Sequence, residues 1–508
     1  VQFQGFRGTP TTLVEGCEET GFGLNFFKLI VMNTHSLPEL PDLFGLVVGK
    51  HSGQLKLKAA ADASRADFLR IRAVVGGAST TKSRLAAFAC GAQSPKWPLG
   101  KKLGPESGQK LANALCYKMA MPNREHFDVV IVGGGIAGAS LAYFLGRAGV
   151  GKVLILERET QLAAHATGRS AASISEYDEN DVVLDLKILG SQFWRRPPAD
   201  FADHPPLTSV GVLSLFDRDG FEKLDARAAE LRERGLEFEL LKPDAVREHV
   251  PALTFSGMGG ALYAPQDGRL DVHGILQGYL RHARSFGAVL ELGAEVLGLI
   301  TSGGRVSGVR LRDREVDAGL VVNAAGAWAS AVGKMGAARL IPLQPKRRSL
   351  FTFAGPAGVD FSGWPMVWSD PHAVYFVPEA GELMLSPMDQ VAMDPCDPSP
   401  DDETIAASLE RLSELAPSLV PRSIRSRWSG LRTFAADGAP VIGHDPDRAG
   451  FFWLVGQGGA GIETSPAYGQ IAANLIVSGG CEFFDASRLA PERFSTPNPT
   501  DSLAIVGD

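Results

Sequence analysis

Three glycines and one acid within residues 127–159 carry the clearest chemical signal in this chain. Gly133, Gly135 and Gly138 form a G-x-G-x-x-G pattern, and Glu157 follows about twenty residues later. The first glycine permits a tight turn, the second lets backbone approach a pyrophosphate, and the third allows close packing of a helix on a strand. The acid can accept hydrogen bonds from a ribose and would repel a 2′-phosphate. The pattern therefore predicts a bound adenine dinucleotide other than NADP.

The elements around these residues decide how specific the pattern is. Val129–Val132 is a β-branched run typical of a buried parallel strand, Ile136–Leu145 is typical of a helix, and Val153–Leu156 predicts the next strand. A helix start after the glycines offers free N–H groups and a positive dipole to phosphates. The alternative is an ordinary glycine-rich turn without a ligand, and the strand–turn–helix context favours the dinucleotide.

Composition bounds the class of protein. The 508 residues suffice for two or three domains, and a formal net charge of -7 gives no reason to expect nucleic acid as a partner. The five cysteines are scattered without C-x-x-C pairs, so neither a metal site nor a disulfide framework is predicted, and a reducing compartment fits. The sequence has no apolar run long enough for a transmembrane segment.

Residues 1–120 form an atypical N-terminal extension. The stretch from about His51 to Ala120 is basic and poor in acids, and Met119 and Met121 stand just before the first recognisable motif. Translated upstream DNA, a targeting extension and a genuine extra domain are the three alternatives, and we favour the first.

Beyond residue 121, strand and helix patterns alternate as in α/β proteins. Asp271 is a plausible N-cap for a helix over Val272–Phe286, and Gly303–Gly304 predicts a turn. A second glycine-rich segment, Gly456–Thr464, lies between a predicted strand and a predicted helix. It is either a plain turn or a second place where backbone N–H groups face the cofactor. The further predicted elements are strands at Val289–Leu292, Val296–Ile300, Val306–Leu311, Gly319–Val322 and Phe451–Val455, the first two regarded as a pair, and helices at Thr404–Leu415 and Ser465–Ser478.

Several segments together resemble the D-amino acid oxidase family of FAD-dependent oxidoreductases. They are the fingerprint above, His165–Ala172, Val322–Trp328, Trp428–Gly443 and Gly456–Thr464. Within the family, the chain is most similar to the bacterial D-arginine dehydrogenase branch. The segments that carry this closer likeness are Leu343–Ser349, Trp364–Met366 and Gly450–Trp453.

The resemblance implies an α/β fold with a Rossmann-like, discontinuous FAD-binding domain of the glutathione-reductase type. It also implies a second α+β substrate domain built on a mixed or antiparallel sheet. The expected boundaries are 121–206, 266–340 and 426–490 for the FAD-binding domain, 207–265 and 341–425 for the substrate domain, and 491–508 for a C-terminal tail. FAD is expected to be noncovalent, because no cysteine lies in a glycine-rich flavin loop.

By the same resemblance, a large set of residues is expected to bind FAD. The set comprises Gly133, Gly135, Ile136, Ala137, Gly138, Glu157, Arg158, Thr167, Gly168, Arg169, Ser170, Ala171, Ala172, Val296, Ala324, Ala325, Gly326, Trp328, Gly430, Gln457, Gly458, Gly461, Ile462, Glu463 and Thr464.

Four residues are expected to serve catalysis. Arg432 in W-x-G-L-R is the first candidate to clamp a substrate carboxylate, because the planar guanidinium fork matches two oxygens. Its alternative is a structural arginine. The resemblance turns Arg348 inward from a run that charge alone would place in solvent. It also directs the Tyr375 hydroxyl to the carboxylate, although a buried tyrosine usually satisfies a local acceptor. Gly459 is expected to offer its carbonyl to the substrate amine.

Two departures bear on the substrate. Ser173 stands where the D-arginine branch has a histidine, and Val212 stands where it has an acid that holds the guanidinium of the substrate. An apolar residue there would leave a guanidinium unpaired. A D-amino acid with a neutral or hydrophobic side chain is therefore expected instead of D-arginine.

The expected reaction is oxidative deamination of a D-amino acid to the 2-oxo acid, by hydride transfer to flavin N5. The electron acceptor is left open between a quinone, another redox carrier and O2. A secondary-amine or 2-hydroxy acid dehydrogenase and a non-catalytic FAD-bearing assembly factor are the alternatives. A cytoplasmic protein is expected, with attachment to the inner membrane and a mitochondrial location as open alternatives.

Overall fold

The computed structural model describes residues 124–254 and 257–494, together with five strands in the N-terminal part. The chain divides into two compact units, Val1–Asn123 and Arg124–Asp508. In the first unit, β1 (Thr12–Thr20) pairs antiparallel with β2 (Gly23–Val31). Strand β3 (Leu43–His51) pairs with β4 (Gln54–Ala59) and with β5 (Phe88–Cys90). Most of the predicted N-terminal extension, and residues 495–508 of the predicted tail, lie outside the described residues.

The second unit alternates strands and helices. Its strands are β6 (Glu125–Val132), β7 (Val153–Glu157), β8 (Ser173–Ile174), β9 (Leu207–Ser209), β10 (Val212–Asp217), β11 (Glu239–Leu241), β12 (Met258–Ala264), β13 (Gly268–Leu270), β14 (Val289–Leu292), β15 (Gly298–Ser302), β16 (Arg305–Arg310), β17 (Glu315–Asn323), β18 (Leu343–Phe353), β19 (Met366–Ser369), β20 (Val374–Glu379), β21 (Glu382–Ser386), β22 (Val391–Ala392), β23 (Ser426–Ala435), β24 (Val441–His444) and β25 (Phe451–Val455). Its α-helices are α1 (Ile136–Arg147), α2 (Asp181–Arg195), α3 (Arg218–Glu233), α4 (Pro243–His249), α5 (Val272–Ser285), α6 (Ala329–Met335), α7 (Asp402–Leu415) and α8 (Ser465–Ser478).

The first large sheet has the order β14-β7-β6-β17-β16-β15, and β25 joins it beside β17. Strands β14, β7, β6, β17 and β25 run parallel to their neighbours in this group. Consecutive residues of β6, such as Val130 and Ile131, are both fully buried, because helices cover one face and the other strands and α6 cover the second. The near-continuous apolar runs seen in the sequence are the consequence of this two-sided burial.

The second large sheet has the order β11-β12-β10-β19-β20-β21-β18-β22, and β23 pairs with β18. It is mixed, because β10 and β19 are parallel while the other pairs are antiparallel. The predicted fold class, a Rossmann-like domain with a second domain on a mixed sheet, is confirmed. Residues 426–435, where the third FAD-binding segment is predicted to start, form β23 and pair with β18 of the second sheet. The domain boundaries stay a prediction.

Most predicted elements are confirmed within a few residues. The carboxylate of Asp271 accepts the N–H of Gly274 at 2.9 Å and caps α5, as its position predicted. The predicted pairing of Val289–Leu292 with the following strand is wrong. Strand β14 instead runs parallel to β7, while β15 forms its hairpin with β16 around Gly303–Gly304. Strand β7 is distant in sequence from β14, so the residues next to β14 give no indication of this parallel pairing.

Candidate active site

The carboxyl ends of the parallel strands β6, β7, β17 and β25 meet at one edge of the first sheet. Their exits are the glycine segment after Val132, Glu157, the turn after Asn323, and the second glycine-rich segment. In open α/β sheets, ligands bind in the crevice at this edge. The helix α1 begins at Ile136, so its N-terminal end also points to the crevice.

The three fingerprint glycines differ in what a side chain at each position would meet. A Cβ on Gly133 would lie 2.4 Å from the carbonyl oxygen of Ala324, and this residue has a φ of +114°. A Cβ on Gly138 would lie 2.0 Å from the carbonyl oxygen of Gly133, which reflects the close approach of α1 to β6. A Cβ on Gly135 would meet the Thr167 hydroxyl at 3.2 Å, so a side chain there would fill the crevice between the turn and residue 167. Only glycine leaves this space open.

Glu157 ends β7 with its carboxylate at the crevice. Its two oxygens accept the N–H groups of Gly134 and Glu159, each at 2.9 Å. These bonds fix the carboxylate beside the glycine turn, and a carboxylate with four lone-pair sites can still accept from a ribose.

A single cleft joins most of the predicted cofactor residues. It also reaches three of the four predicted catalytic residues, namely Arg348, Arg432 and Gly459. The predicted cofactor residues that line it are Gly133, Gly135, Ile136, Ala137, Glu157, Arg158, Thr167, Arg169, Ser170, Val296, Ala324, Ala325, Gly326, Trp328, Gly430, Gln457, Gly458, Gly461 and Ile462. The predicted residues that do not line it are Gly138, Gly168, Ala171, Ala172, Tyr375, Glu463 and Thr464.

Side chains at one end of the cleft form a stacked group. The guanidinium of Arg158 lies 3.9 Å from the ring centre of Trp328, and the His165 ring lies 4.6 Å from the same indole. Glu159 accepts from Arg158 at 2.8 Å and contacts Nε2 of His165 at 2.9 Å. The hydrogen bond from His165, followed by that from Arg158, lowers the pKa of Glu159. Together these contacts hold Arg158 and Trp328 flat against the cleft wall.

The two candidate carboxylate-binding arginines lie on one face of the second sheet. Arg348 on β18 stands opposite Gly430 on β23, and Lys346 stands opposite Arg432. Side chains of directly opposed residues point to the same face of a sheet, and so do residues two positions apart on one strand. Arg432 is two positions from Gly430, so Arg348 and Arg432 are diagonal neighbours on one face. Gly430 lies on the same face and adds no side chain beside Arg348.

The Arg348 guanidinium is buried, and only part of its hydrogen-bonding capacity is used. It is 4% exposed, its Nε donates to the carbonyl oxygen of Asp389 at 3.0 Å, and its Nη1 has no hydrogen-bond partner. The Asp389 carboxylate is engaged by Arg347 and Ser349 instead. Burial, and then the charge of Arg432, lower the pKa of Arg348 to about 9. Among the described residues, no carboxylate pairs with Arg348 or Arg432. An anion arriving in the cleft would relieve this unfavourable pair of charges.

Tyr375 lies on β20, on the same side of the sheet as Arg348. Its ring stacks on Trp368 with centroids 4.9 Å apart, and its hydroxyl is buried without a hydrogen-bond partner. The hydroxyl is close enough to Arg348 to influence the pKa of that residue. A buried unpaired hydroxyl is costly, so its position beside a guanidinium is suited to a ligand oxygen.

The second glycine-rich segment lines the cleft through Gln457, Gly458, Gly459, Gly461 and Ile462. A Cβ on Gly459 would lie 3.0 Å from Nη1 of Arg432, so the segment and the arginine are in close contact. Within its last two residues, the Glu463 side chain pairs with Lys187 at 3.4 Å and the Thr464 hydroxyl donates to the carbonyl oxygen of Ala460 at 2.7 Å. Both side chains are buried and do not line the cleft, and their role in cofactor binding stays a prediction.

Some lining residues escaped the sequence prediction. Cys396 and Pro398 come from the loop after β22, and the exposed Asp397 between them forms an ion pair with Arg169. No sequence pattern marks this loop as part of the cleft. Thr433 also lines the cleft, and its buried hydroxyl has no hydrogen-bond partner. Its position directly after Arg432 could have indicated in the sequence that it belongs to the site.

The residues present fit FAD. Four features line the same cleft. They are the glycine turn that a Cβ would close, the carboxylate of Glu157, and the unpartnered polar atoms of Arg348 and Thr433. A dinucleotide requires the glycine turn and the carboxylate, and the polar atoms of Arg348 and Thr433 can bind a substrate carboxylate or the flavin ring.

Two absences hold for residues 124–254 and 257–494. No cluster of metal-ligating side chains is present in this part of the chain. No helix in it is both long and apolar enough to cross a bilayer.

The fold and the cleft together define a two-domain oxidoreductase that binds an adenine dinucleotide at the carboxyl edge of a parallel sheet. The chain belongs to the DAO family, FAD dependent oxidoreductase, which matches residues 128–475. It is 26% identical over 426 residues to FAD-dependent oxidoreductase domain-containing protein 1 of Bos taurus, covering 73% of this chain and 85% of that protein.

Two further likenesses extend the comparison. The chain is 27% identical over 375 residues to sarcosine oxidase subunit beta of Rhizobium meliloti (strain 1021), covering 70% of this chain and 86% of that protein. The L-proline dehydrogenase structure from P. horikoshii superimposes with a TM-score of 0.66 at 23% identity, covering 73% of this chain and 98% of that one. The family part of the predicted resemblance is confirmed. The closer likeness to D-arginine dehydrogenases stays a prediction, because the relatives found do not favour that branch.

Proposed function

We propose that this protein oxidises the C–N bond of a small N-alkylated amino acid that is held in the cleft by its carboxylate. The single observation that carries the proposal is the pair of guanidiniums, Arg348 and Arg432, on one face of β18 and β23 without a carboxylate partner among the described residues. A planar fork with free donors is suited to bidentate binding of a carboxylate.

The residues of this chain have three tasks in such a reaction. Arg348, Arg432 and the Tyr375 hydroxyl would hold the carboxylate, and so orient the carbon that loses hydride. Their positive charge would also disfavour a protonated substrate nitrogen, which must be neutral before hydride loss. FAD, when bound, supplies the hydride acceptor. Noncovalent attachment of FAD is part of the proposal.

The apolar cluster around Tyr375 favours a small or apolar substituent. Val212, the residue at the position of the guanidinium-binding acid, is buried in one apolar cluster with Tyr375, Leu350 and Met366. An alkylated nitrogen is supported by the relative from Rhizobium meliloti, whose name refers to sarcosine. A D-amino acid with a neutral or hydrophobic side chain is the second candidate, because the same apolar cluster and the same carboxylate clamp would accept it.

Anaerobic bleaching of the bound flavin tests the proposal. The full chain, reconstituted with FAD, would be mixed with N-methylglycine, glycine, matched D- and L-amino acids and 2-hydroxy acids. We expect the N-methylated amino acid to bleach the flavin fastest. Faster bleaching by a D-amino acid would establish the second candidate, and a flavin that no member of the panel reduces would overturn the proposal.

A further inference from the structure

Lys187 on α2 carries a buried ammonium group outside the cleft. The residue is 7% exposed, and its Nζ lies 3.0 Å from Oδ2 of Asp178 and 3.4 Å from Oε1 of Glu463. The same Nζ donates to the carbonyl oxygen of Tyr177 at 3.3 Å. Lysine is rarely buried without a specific set of partners, so these contacts define a dedicated position.

The partners of Lys187 belong to two segments that reach the cleft. Asp178 and Tyr177 end the flavin loop, which we define as residues 167–178 and which lines the cleft through Thr167, Arg169 and Ser170. Glu463 belongs to the second glycine-rich segment, residues 456–464. The backbone N–H of Ser175 donates to Oε2 of Glu463 at 2.9 Å, so the two segments are also joined directly.

Helix α2 touches the second glycine-rich segment at two more points. A Cβ on Gly190 would lie 2.2 Å from the carbonyl oxygen of Glu463, which shows that helix and segment are in backbone contact. The indole Nε1 of Trp194 donates to the same carbonyl oxygen at 2.9 Å. Lys187, Gly190 and Trp194 therefore form one side of α2 that fixes Glu463 by its side chain and its backbone.

The charges of this group depend on each other. Burial by itself would lower the pKa of Lys187, but the charges of Glu463 and Asp178 raise it overall. Burial raises the pKa of Glu463, and Lys187 opposes that effect. Removing one partner of a buried ion pair leaves an uncompensated charge, whereas replacing both by apolar groups does not.

We propose that Lys187 is a positioning residue that holds the flavin loop and the second glycine-rich segment at a fixed separation across the cofactor cleft. The inference rests on the proposed FAD-binding cleft. Because Gly459 of the second segment contacts Arg432, a shift of that segment reaches the substrate-binding arginine as well as the flavin. Lys187 is thus expected to act on FAD affinity and on KM without touching either ligand.

The test compares Lys187→Met, Lys187→Arg and the double variant Lys187→Met/Glu463→Leu, with Gln192→Met on the exposed side of the same helix as the control. The dissociation constant of FAD is measured by titrating the deflavinated protein, and the flavin absorption spectrum and thermal midpoint are recorded. We expect Lys187→Met to raise the dissociation constant about tenfold and to shift the spectrum. Lys187→Arg should recover part of the loss, and Gln192→Met should behave as the wild type.

The double variant separates positioning from stability. It removes the buried Glu463 carboxylate together with the ammonium and leaves the more exposed Asp178, so we expect the thermal midpoint to recover in part while the FAD dissociation constant stays raised and KM rises more than kcat falls. Recovery of FAD affinity together with stability, or an unchanged dissociation constant in every Lys187 variant, would overturn the inference. If Lys187→Met does not fold, the double variant alone carries the comparison. These binding measurements need no substrate, so they stay informative even if the proposed substrate class is wrong.

Discussion

Gly430 stands directly opposite Arg348 in the antiparallel pair of β18 and β23. A Cβ at residue 430 would lie 3.2 Å from Cβ of Arg169 and 3.8 Å from Cα of Ala166, so it would press on the flavin loop and the segment before it. Gly430 therefore neighbours both the strand that carries Arg348 and the flavin loop.

Replacing Gly430 should disturb both neighbours. We expect Gly430→Val to raise KM about tenfold and to weaken FAD binding, because overpacking forces neighbouring atoms to move. Steady-state kinetics and FAD titration provide the measurement. Gly480→Val is the control, since a Cβ there meets no atom within 4 Å. Wild-type values for Gly430→Val would contradict the tight packing described here.

Arg432 should be needed for substrate and not for cofactor. We expect Arg432→Met to lower kcat/KM about 100-fold, mainly through KM, because charge-assisted hydrogen bonds to the carboxylate are lost. FAD should remain bound. The exposed Arg427 on the same strand pairs with Asp402, so Arg427→Met should keep the wild-type kinetics. An unchanged kcat/KM for Arg432→Met would remove this residue from the clamp.

The Tyr375 hydroxyl should matter only when substrate is bound. It has no partner in the free protein, so Tyr375→Phe should leave the thermal midpoint unchanged or slightly raised. We expect KM to rise about fivefold, because the substrate loses one hydrogen bond. Tyr263→Phe, at a half-buried position in the same sheet, should change neither quantity. A lower thermal midpoint and an unchanged KM for Tyr375→Phe would indicate a purely structural hydroxyl.

Asp267 should make stability depend on pH. Glu176 and Asp267 share the guanidinium of Arg195, and burial followed by the charge of Glu176 raises the pKa of Asp267 from 3.8 to about 8. Between those values the folded protein keeps a proton that the unfolded chain has released. The free energy of unfolding contributed by Asp267 is therefore largest below about pH 4 and is lost as pH rises to about 8.

The variant Asp267→Asn should flatten this dependence, because the amide does not titrate. The thermal midpoint measured between about pH 5 and about pH 8 should fall less with rising pH than in the wild type. Asp225→Asn, at an exposed position on α3, should keep the wild-type slope. Parallel slopes for the wild type and Asp267→Asn would show that another group governs the pH dependence.

The sequence alone was sufficient for the dinucleotide site and for the element boundaries around it. The turn at Gly133 and the contacts of Gly138 with Gly133 and of Glu157 with Gly134 lie within one βαβ unit. Val129–Val132 and Ile136–Leu145 carry their periodicity locally. Because these features depend on residues close together in sequence, the residue types alone predict the local geometry.

Only the tertiary structure decided which distant residues meet. The register that sets Arg348 opposite Gly430 depends on hydrogen bonds between strands that are far apart in sequence, and the parallel pairing of β14 with β7 is equally non-local. The ion pair between Lys187 and Glu463 likewise requires helix α2 to pack against the second glycine-rich segment. Such contacts depend on how the layers pack, because a residue type determines the functional group but not which residues it will contact.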